Sequence, residues 1–191
     1  MKNASEQQVQ HISLPERTLM VLCGPAGAGK STFARTFIEQ HKQQGYRMTS
    51  IVSSDYCRAL ICDDETNQQV NRDTFDLFYY IIHKRMFQGR LTIADSTALQ
   101  ADARQRLLDL AARHHYFTCL FMFDISLETC MKYDQHQARG RIVGEQVIKY
   151  HLSLLQQALR DVPQESWQMI HVLDEQHPFP EISMGDTDPS S

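Results

Sequence analysis

The sequence predicts a three-layer α/β fold: a mostly parallel sheet of about five strands, helices on both faces and a lid. Three observations predict it. Apolar, β-branched or aromatic runs alternate with segments of helical period along the chain. One run, Tyr116 to Phe123, has the near-continuous apolar pattern of a central strand buried on both sides. The stretch Gly24 to Ser31, GPAGAGKS, follows the apolar run Leu19 to Cys23 and leads into helix-permitting residues, in the order strand, phosphate loop, helix.

In chain order, residues 1–17 read as a flexible leader, polar and glutamine-rich through Gln10. After the loop, Phe33, Ala34, Phe37 and Ile38 recur at helical spacing, and Gly45 stands where a helix-terminating glycine belongs. Thr49 to Ser53 reads as a second strand. It places Asp55 and Arg58 at a carboxyl strand end, the edge where open α/β sheets hold ligands. Residues 62–74 are polar and predict a loop, and Phe75 to Gln88 a helix stopped by Gly89. Leu91 to Ala94 is the next strand, ending in Asp95. Thr97 and Gln100 have capping-box spacing for a helix running to about His114. After Tyr116 to Phe123, Ser126 can cap a helix whose positive end suits Glu128. Residues 131–144 are the expected lid, Glu145 to Leu159 a further helix, and Met169 to Leu173 a last strand. Residues 176–191 read as a disordered tail, which leaves one domain over 18–175.

Composition narrows the function classes. Lys plus Arg number 19 and Asp plus Glu 23, so the net charge of −4 gives no global attraction to nucleic acid or to an anionic membrane. Any polyanion site is a local patch. Five scattered cysteines without a CxxC pair fit reduced thiols better than a disulfide framework or a zinc site. No signal-peptide pattern and no apolar run near 18 residues is present, and the chain reads as a cytoplasmic protein with no membrane partner.

The chemistry concentrates around the loop. In the pattern Gly24-x-x-x-x-Gly29-Lys30-Ser31, backbone N–H groups of Gly24, Pro25's successors Ala26, Gly27 and Ala28, and Gly29 through Thr32 can turn toward phosphate oxygens. Lys30 reaches the β- and γ-phosphates, Ser31 ligates Mg²⁺, and the helix start adds partial positive charge. ATP or another NTP, with Mg²⁺, is therefore the expected cofactor set. Phosphoryl transfer also needs a group to take the acceptor's proton and cations to neutralise the transferred charge. Asp55 suits the first role, and Arg58 can hold an acceptor anion. Arg139 and Arg141, in a glycine-flanked stretch, can close over the phosphates. Asp95 is either a further Mg²⁺ group or a brace for Arg58. Other clusters have plain readings: His114 and His115 at a helix end, His83 in solvent, Tyr79 and Tyr80 in packing, Cys57 a packed thiol.

The combination GPAGAGKSTFA, Ser54-Asp55-Tyr56-Cys57-Arg58, Asp63-Asp64-Glu65 and Ile93-Ala94-Asp95-Ser96-Thr97 resembles the 5′-OH polynucleotide kinase domain of bacterial and phage end-healing enzymes, over about residues 18–175. The resemblance implies a P-loop kinase fold in which Lys30 and Ser31 hold the ATP phosphates and Mg²⁺. It implies that Asp55 is the general base and that Arg58 binds the 3′-phosphate of the acceptor. Asp95 matches the aspartate of a D-A-T element, with Ser96 in place of alanine. The acceptor it implies is the 5′-hydroxyl end of RNA or DNA. One departure stands out: residues 131–138 hold no arginine where the family carries one, so the lid role falls to Arg139 and Arg141, with Lys132 as a poorer fork. Relatives often fuse a phosphatase or ligase, for which 191 residues leave no room. A second copy of the chain, or separate phosphatase and ligase partners, are not evident from sequence. Two alternatives share the loop. A small-molecule kinase, or an antibiotic or nucleotide-sugar phosphotransferase, holds its acceptor differently, and a non-catalytic nucleotide-binding module needs neither Asp55 nor a lid arginine.

Overall fold

The structure is a computed structural model and describes residues 10–136, 142–177 and 179–185. Its centre is a five-stranded parallel sheet made of β2 (Thr18–Cys23), β3 (Ile51–Ser53), β4 (Thr92–Asp95), β5 (Phe117–Phe123) and β6 (Met169–Leu173), in the order β3-β4-β2-β5-β6. The helices between them are α1 (Lys30–His41), α2 (Ser54–Cys62), α3 (Asn71–Phe87), α4 (Ala101–His114), α5 (Leu127–His136) and α6 (Glu145–Asp161). The predicted α/β architecture and strand count are observed.

Side-chain alternation along the strands divides the core into two layers. Leu19 and Val21 of β2, with Leu120 and Met122 of β5, face Phe78, Ile82 and Met86 of α3 and Leu107, Leu108 and Ala111 of α4. Met20 and Leu22, with Phe121 and Phe123, face Phe33, Phe37 and Ile38 of α1 and Ile148 of α6. The middle strand β2 is buried at every position, as its unbroken apolar run requires.

Four local expectations are corrected. Met48–Ser50 forms a 3₁₀ turn, so the second strand shortens to three residues. Residues 54–62 are helix, capped by Ser53, whose hydroxyl accepts from Tyr56 N–H at 3.4 Å, and the expected loop of 62–74 contains a 3₁₀ turn and the first turn of α3. The capping box at Thr97 and Gln100 does not form. The carbonyl of Thr97 accepts from Gly24 N–H at 3.0 Å instead, Ala98 takes a left-handed φ of 46°, and α4 starts only at Ala101. Finally, leader and tail are not structureless throughout. Residues His11–Pro15 (β1) pair in parallel with Glu181–Gly185 (β7), and Ile12 and Leu14 bury against the α1 layer. Ile12 and Leu14 are buried and Ile182 and Met184 pack partly buried against the same layer, an alternating apolar face on each strand that explains why these polar-looking ends order. No helix among the described residues is long and apolar enough to cross a membrane.

Candidate functional site

The site forms along the carboxyl ends of β2, β4 and β3, which lie side by side in the sheet. From β2 the chain turns through Gly24 to Gly29 and enters α1 at Lys30, with Gly29 as N-cap residue at φ 85°, a conformation glycine takes without steric cost. The loop is packed tightly from behind. A Cβ built on Gly27, itself at φ 76°, would lie 2.2 Å from the carbonyl oxygen of Cys130 on α5. Gly27→Ala therefore displaces either the loop or α5. Overpacking of this kind costs about 1–3 kcal/mol, and the expected result is a lower melting temperature together with at least tenfold weaker MgATP binding, checked by calorimetry.

Lys30, the charged residue of the loop, is buried, only 8% exposed. Its Nζ donates to the carbonyls of Gly24 at 2.9 Å and Pro25 at 2.6 Å. Burial lowers its pKa, while the charge of Asp95, and after it that of Asp55, pulls the other way. The ammonium is thus held at the loop's mouth by bonds that phosphate oxygens can replace. Ser31, in the first turn of α1, donates through Oγ to Asp95 Oδ2 at 2.7 Å. Asp95 is the last residue of β4 and 7% exposed. A hydroxyl and a carboxylate brought together beside a phosphate loop are the hard oxygen donors that Mg²⁺ accepts alongside phosphate and water. The residues present fit that ion, and the contact places Asp95 beside Ser31 at the mouth of the loop.

Asp55 lies in the first turn of α2, two residues past Ser53, whose register partner across the sheet is Asp95. Helix capping is Ser53's work, so Asp55 is not a cap. Its side chain is 42% exposed, and its Oδ1 accepts from Arg58 Nη1 at 2.8 Å. Arg58 is where sequence and structure diverge most. It is 4% exposed, and beyond Asp55 it donates to the carbonyl of Glu65 at 3.1 Å and to Asn71 Oδ1 at 3.0 Å, with Nε left without an acceptor. The guanidinium ties α2 to the start of α3 and steadies Asp55, rather than presenting an open fork to an acceptor anion.

Arg139 and Arg141 lie outside the described residues. The described flanks of that segment are joined by Asp134 of α5, a 2% exposed carboxylate that accepts from Val143 N–H at 3.0 and 3.1 Å and from Gly144 N–H at 3.0 Å. It thereby anchors the approach to α6. From α6 itself, His151 Nδ1 accepts from the loop's Ala26 N–H at 3.3 Å. Sequence reasoning missed both residues, because a lone Asp in one helix and a lone His in another carry no local pattern.

Cys23, Cys57, Cys119 and Cys130 are buried free thiols, and Cys62 is half-buried. Cys57, between Asp55 and Arg58, is 1% exposed, and burial pushes its pKa up to about 11. His114 bonds His83 through Nε2 to Nδ1 at 2.8 Å, and no group of three or more metal-binding side chains occurs among the described residues. Tyr79 is buried in the core, as read from sequence, while Tyr80 stands exposed.

The family described as the AAA domain matches residues 19–162. No curated protein matches the chain. Among solved structures, the gluconokinase from Sinorhizobium meliloti 1021 is similar at TM-score 0.54 and 14% identity, covering 86% of each chain. The Mycobacterium tuberculosis APS kinase CysC, solved with AMPPNP and APS, is similar at TM-score 0.53 and 14% identity, covering 91% of each. A chain of the AvrRxo1-ORF1:-ORF2 complex with ATP is similar at TM-score 0.58 and 15% identity over 78% of this chain, which spans only 50% of that one. At such identities the likeness is one of fold, a P-loop kinase fold.

Proposed function

The chain belongs to the AAA domain family, and on that premise we propose that it is an ATP-dependent phosphotransferase acting on the hydroxyl of a small-molecule acceptor. The observation that carries this reading is the alignment of three functions on neighbouring strand ends: the loop with Lys30, the Ser31 to Asp95 contact, and the half-exposed carboxylate of Asp55. A nucleotide-binding module without catalysis has no use for the third.

In the proposed reaction the acceptor oxygen bonds to the γ-phosphorus, the bond to the β,γ-bridging oxygen breaks, and ADP leaves with that electron pair. Asp55 receives the acceptor's proton as the new bond forms. Lys30 exchanges its two loop carbonyls for β- and γ-phosphate oxygens and neutralises charge that builds there. Ser31 and Asp95 would hold Mg²⁺, which screens the phosphates. Arg58 keeps Asp55 oriented. Arg139 and Arg141 remain the residues proposed for the lid role.

Two observations favour a small acceptor over the 5′-hydroxyl of a polynucleotide. The arginine that the sequence resemblance assigns to the acceptor's 3′-phosphate is 4% exposed and occupied by three partners. The solved kinases of similar fold that are named above are described as a gluconokinase and an APS kinase. The polynucleotide reading rests on Asp55, Arg58 and Asp95 at family spacing, and it is tested beside the other.

Purified protein with Mg²⁺ and γ-labelled ATP is offered sugars and other hydroxyl metabolites, a 3′-mononucleotide, 5′-OH RNA and 5′-OH DNA. Label is expected on a small acceptor. Label on RNA or DNA alone restores the polynucleotide kinase assignment, and ATP binding with no transfer to any acceptor points to the non-catalytic module.

A further inference from the structure

Behind the phosphate loop lies a buried polar network that no motif announces. Arg104 of α4 is 0% exposed. Its Nε and Nη2 meet the carboxylate of Glu165, a residue of the connection between α6 and β6, at 2.6 to 3.0 Å. Trp167 Nε1 donates to the other side of the same carboxylate at 2.7 Å. The remaining nitrogen, Nη1, donates to the carbonyls of Ala98 at 3.1 Å and Leu99 at 2.8 Å. Those carbonyls belong to the turn that interrupts the path from β4 to α4, where Ala98 takes its left-handed φ of 46°. For a residue with a Cβ that conformation is unfavourable and persists only where surroundings over-determine it.

The other side of the turn touches the phosphate loop. Gly24, the loop's first residue, donates its N–H to Thr97 at 3.0 Å, and Cys23 Sγ donates to Ala98 at 3.4 Å. Asp95, which accepts from Ser31, enters the same turn two residues earlier. The turn therefore fixes where the loop begins relative to where Asp95 stands, and the ion pair fixes the turn.

We propose that Arg104 is a positioning residue for the nucleotide site: held by Glu165, it clamps the 97–99 turn and so sets the spacing between the phosphate loop and Asp95. Glu165 keeps the charge of Arg104 compensated in the interior, and Trp167 holds Glu165. The inference rests on the loop being a nucleotide site, and the wild-type protein tests that premise separately.

The experiment compares wild type, Arg104→Lys, Glu165→Gln, and Arg104→Lys combined with Ala98→Gly. Circular dichroism and the emission of Trp167, the chain's only tryptophan, report the fold. Calorimetry reports MgATP affinity and the Mg²⁺ concentration needed for half-maximal binding. Lysine offers one compact ammonium and lacks the planar fork whose separate nitrogens reach the carboxylate on one side and the two carbonyls on the other. Arg104→Lys is expected to weaken MgATP binding about 10–100-fold, the usual range for outer-shell partners of metal sites, and to raise the Mg²⁺ requirement. Ala98→Gly, which adopts the left-handed turn without the clamp, is expected to restore most of that loss in the Arg104→Lys background. Glu165→Gln keeps an oxygen for Arg104. It is expected to fold even where Arg104→Lys does not, and to show a smaller shift of the same kind.

Folded Arg104→Lys and Glu165→Gln proteins with MgATP affinity and Mg²⁺ requirement within twofold of wild type would overturn the proposal. A loss of affinity that Ala98→Gly leaves unrepaired overturns it as well, since the clamp would then not act through the turn. Wild-type protein that binds no MgATP removes the nucleotide-site premise and this inference with it.

Discussion

Lys30→Ala is expected to lower phosphoryl transfer by about 10²–10³-fold or more, the loss that follows removal of a preorganised donor to a developing anionic charge, while leaving a folded protein. The second half of that expectation needs argument, because Lys30 is buried. Its ammonium holds the carbonyls of Gly24 and Pro25, and cutting it back to a methyl group leaves both short of a donor, at about 1–3 kcal/mol each if water cannot enter. Against this, burial lowers the Lys30 pKa. A basic group with a depressed folded pKa costs stability at every pH below that value, and the cost fades only as the pH rises toward the unfolded pKa. Alanine removes the cost at neutral pH. The two effects oppose each other. A melting temperature within a few degrees of wild type is expected, with MgATP affinity reduced by calorimetry. Retention of more than a tenth of wild-type transfer would remove Lys30 from the phosphate site.

What the sequence made legible is local. The phosphate loop announces itself because its chemistry is contiguous: glycines, Lys30 and Ser31 occupy eight residues between an apolar strand and a helix. Strands β2, β5 and β6 were legible for a similar reason, since each is a short apolar or alternating run. The features that escaped depend on partners outside the local pattern, some of them far along the chain. Arg58 looked like an open anion fork three residues past an aspartate. Only the fold brings Glu65 and Asn71 around it. Thr97 and Gln100 have the spacing of a capping box, but the Thr97 carbonyl bonds Gly24, 73 positions earlier in the chain, and that tertiary bond overrides the local signal. Arg104 and Glu165 stand 61 residues apart, and β1 finds β7 at the opposite end of the sequence. Asp95 was half legible: its place at a strand end was read correctly, while its contact with Ser31, 64 residues away, needed the fold.

Asp55→Asn is expected to lower kcat by about 10²-fold or more, the contribution of a general base in proton transfer from a weakly acidic hydroxyl. The structure changes what else this substitution does. Because Ser53 supplies the cap of α2, the exchange costs no helix capping. It does remove the carboxylate that faces a 4% exposed guanidinium, leaving Arg58 with neutral acceptors at Glu65 and Asn71. Breaking a fully buried pair costs about 3–5 kcal/mol. With the Asp55 side chain 42% exposed, solvent screens part of that charge and the loss is smaller. A fall in melting temperature is therefore expected, and a drop in turnover alone does not identify a base. Arg58→Gln separates the two causes. It breaks the same ion pair from the other side, so it shares the stability loss, yet it leaves the carboxylate in place. Both variants are assayed well below their melting temperatures, with MgATP affinity measured on the same preparations. If Asp55 takes the acceptor's proton, Asp55→Asn loses far more kcat than Arg58→Gln while both bind MgATP. Equal losses in the two variants would make the pair a structural brace and move the search for the base to Asp95.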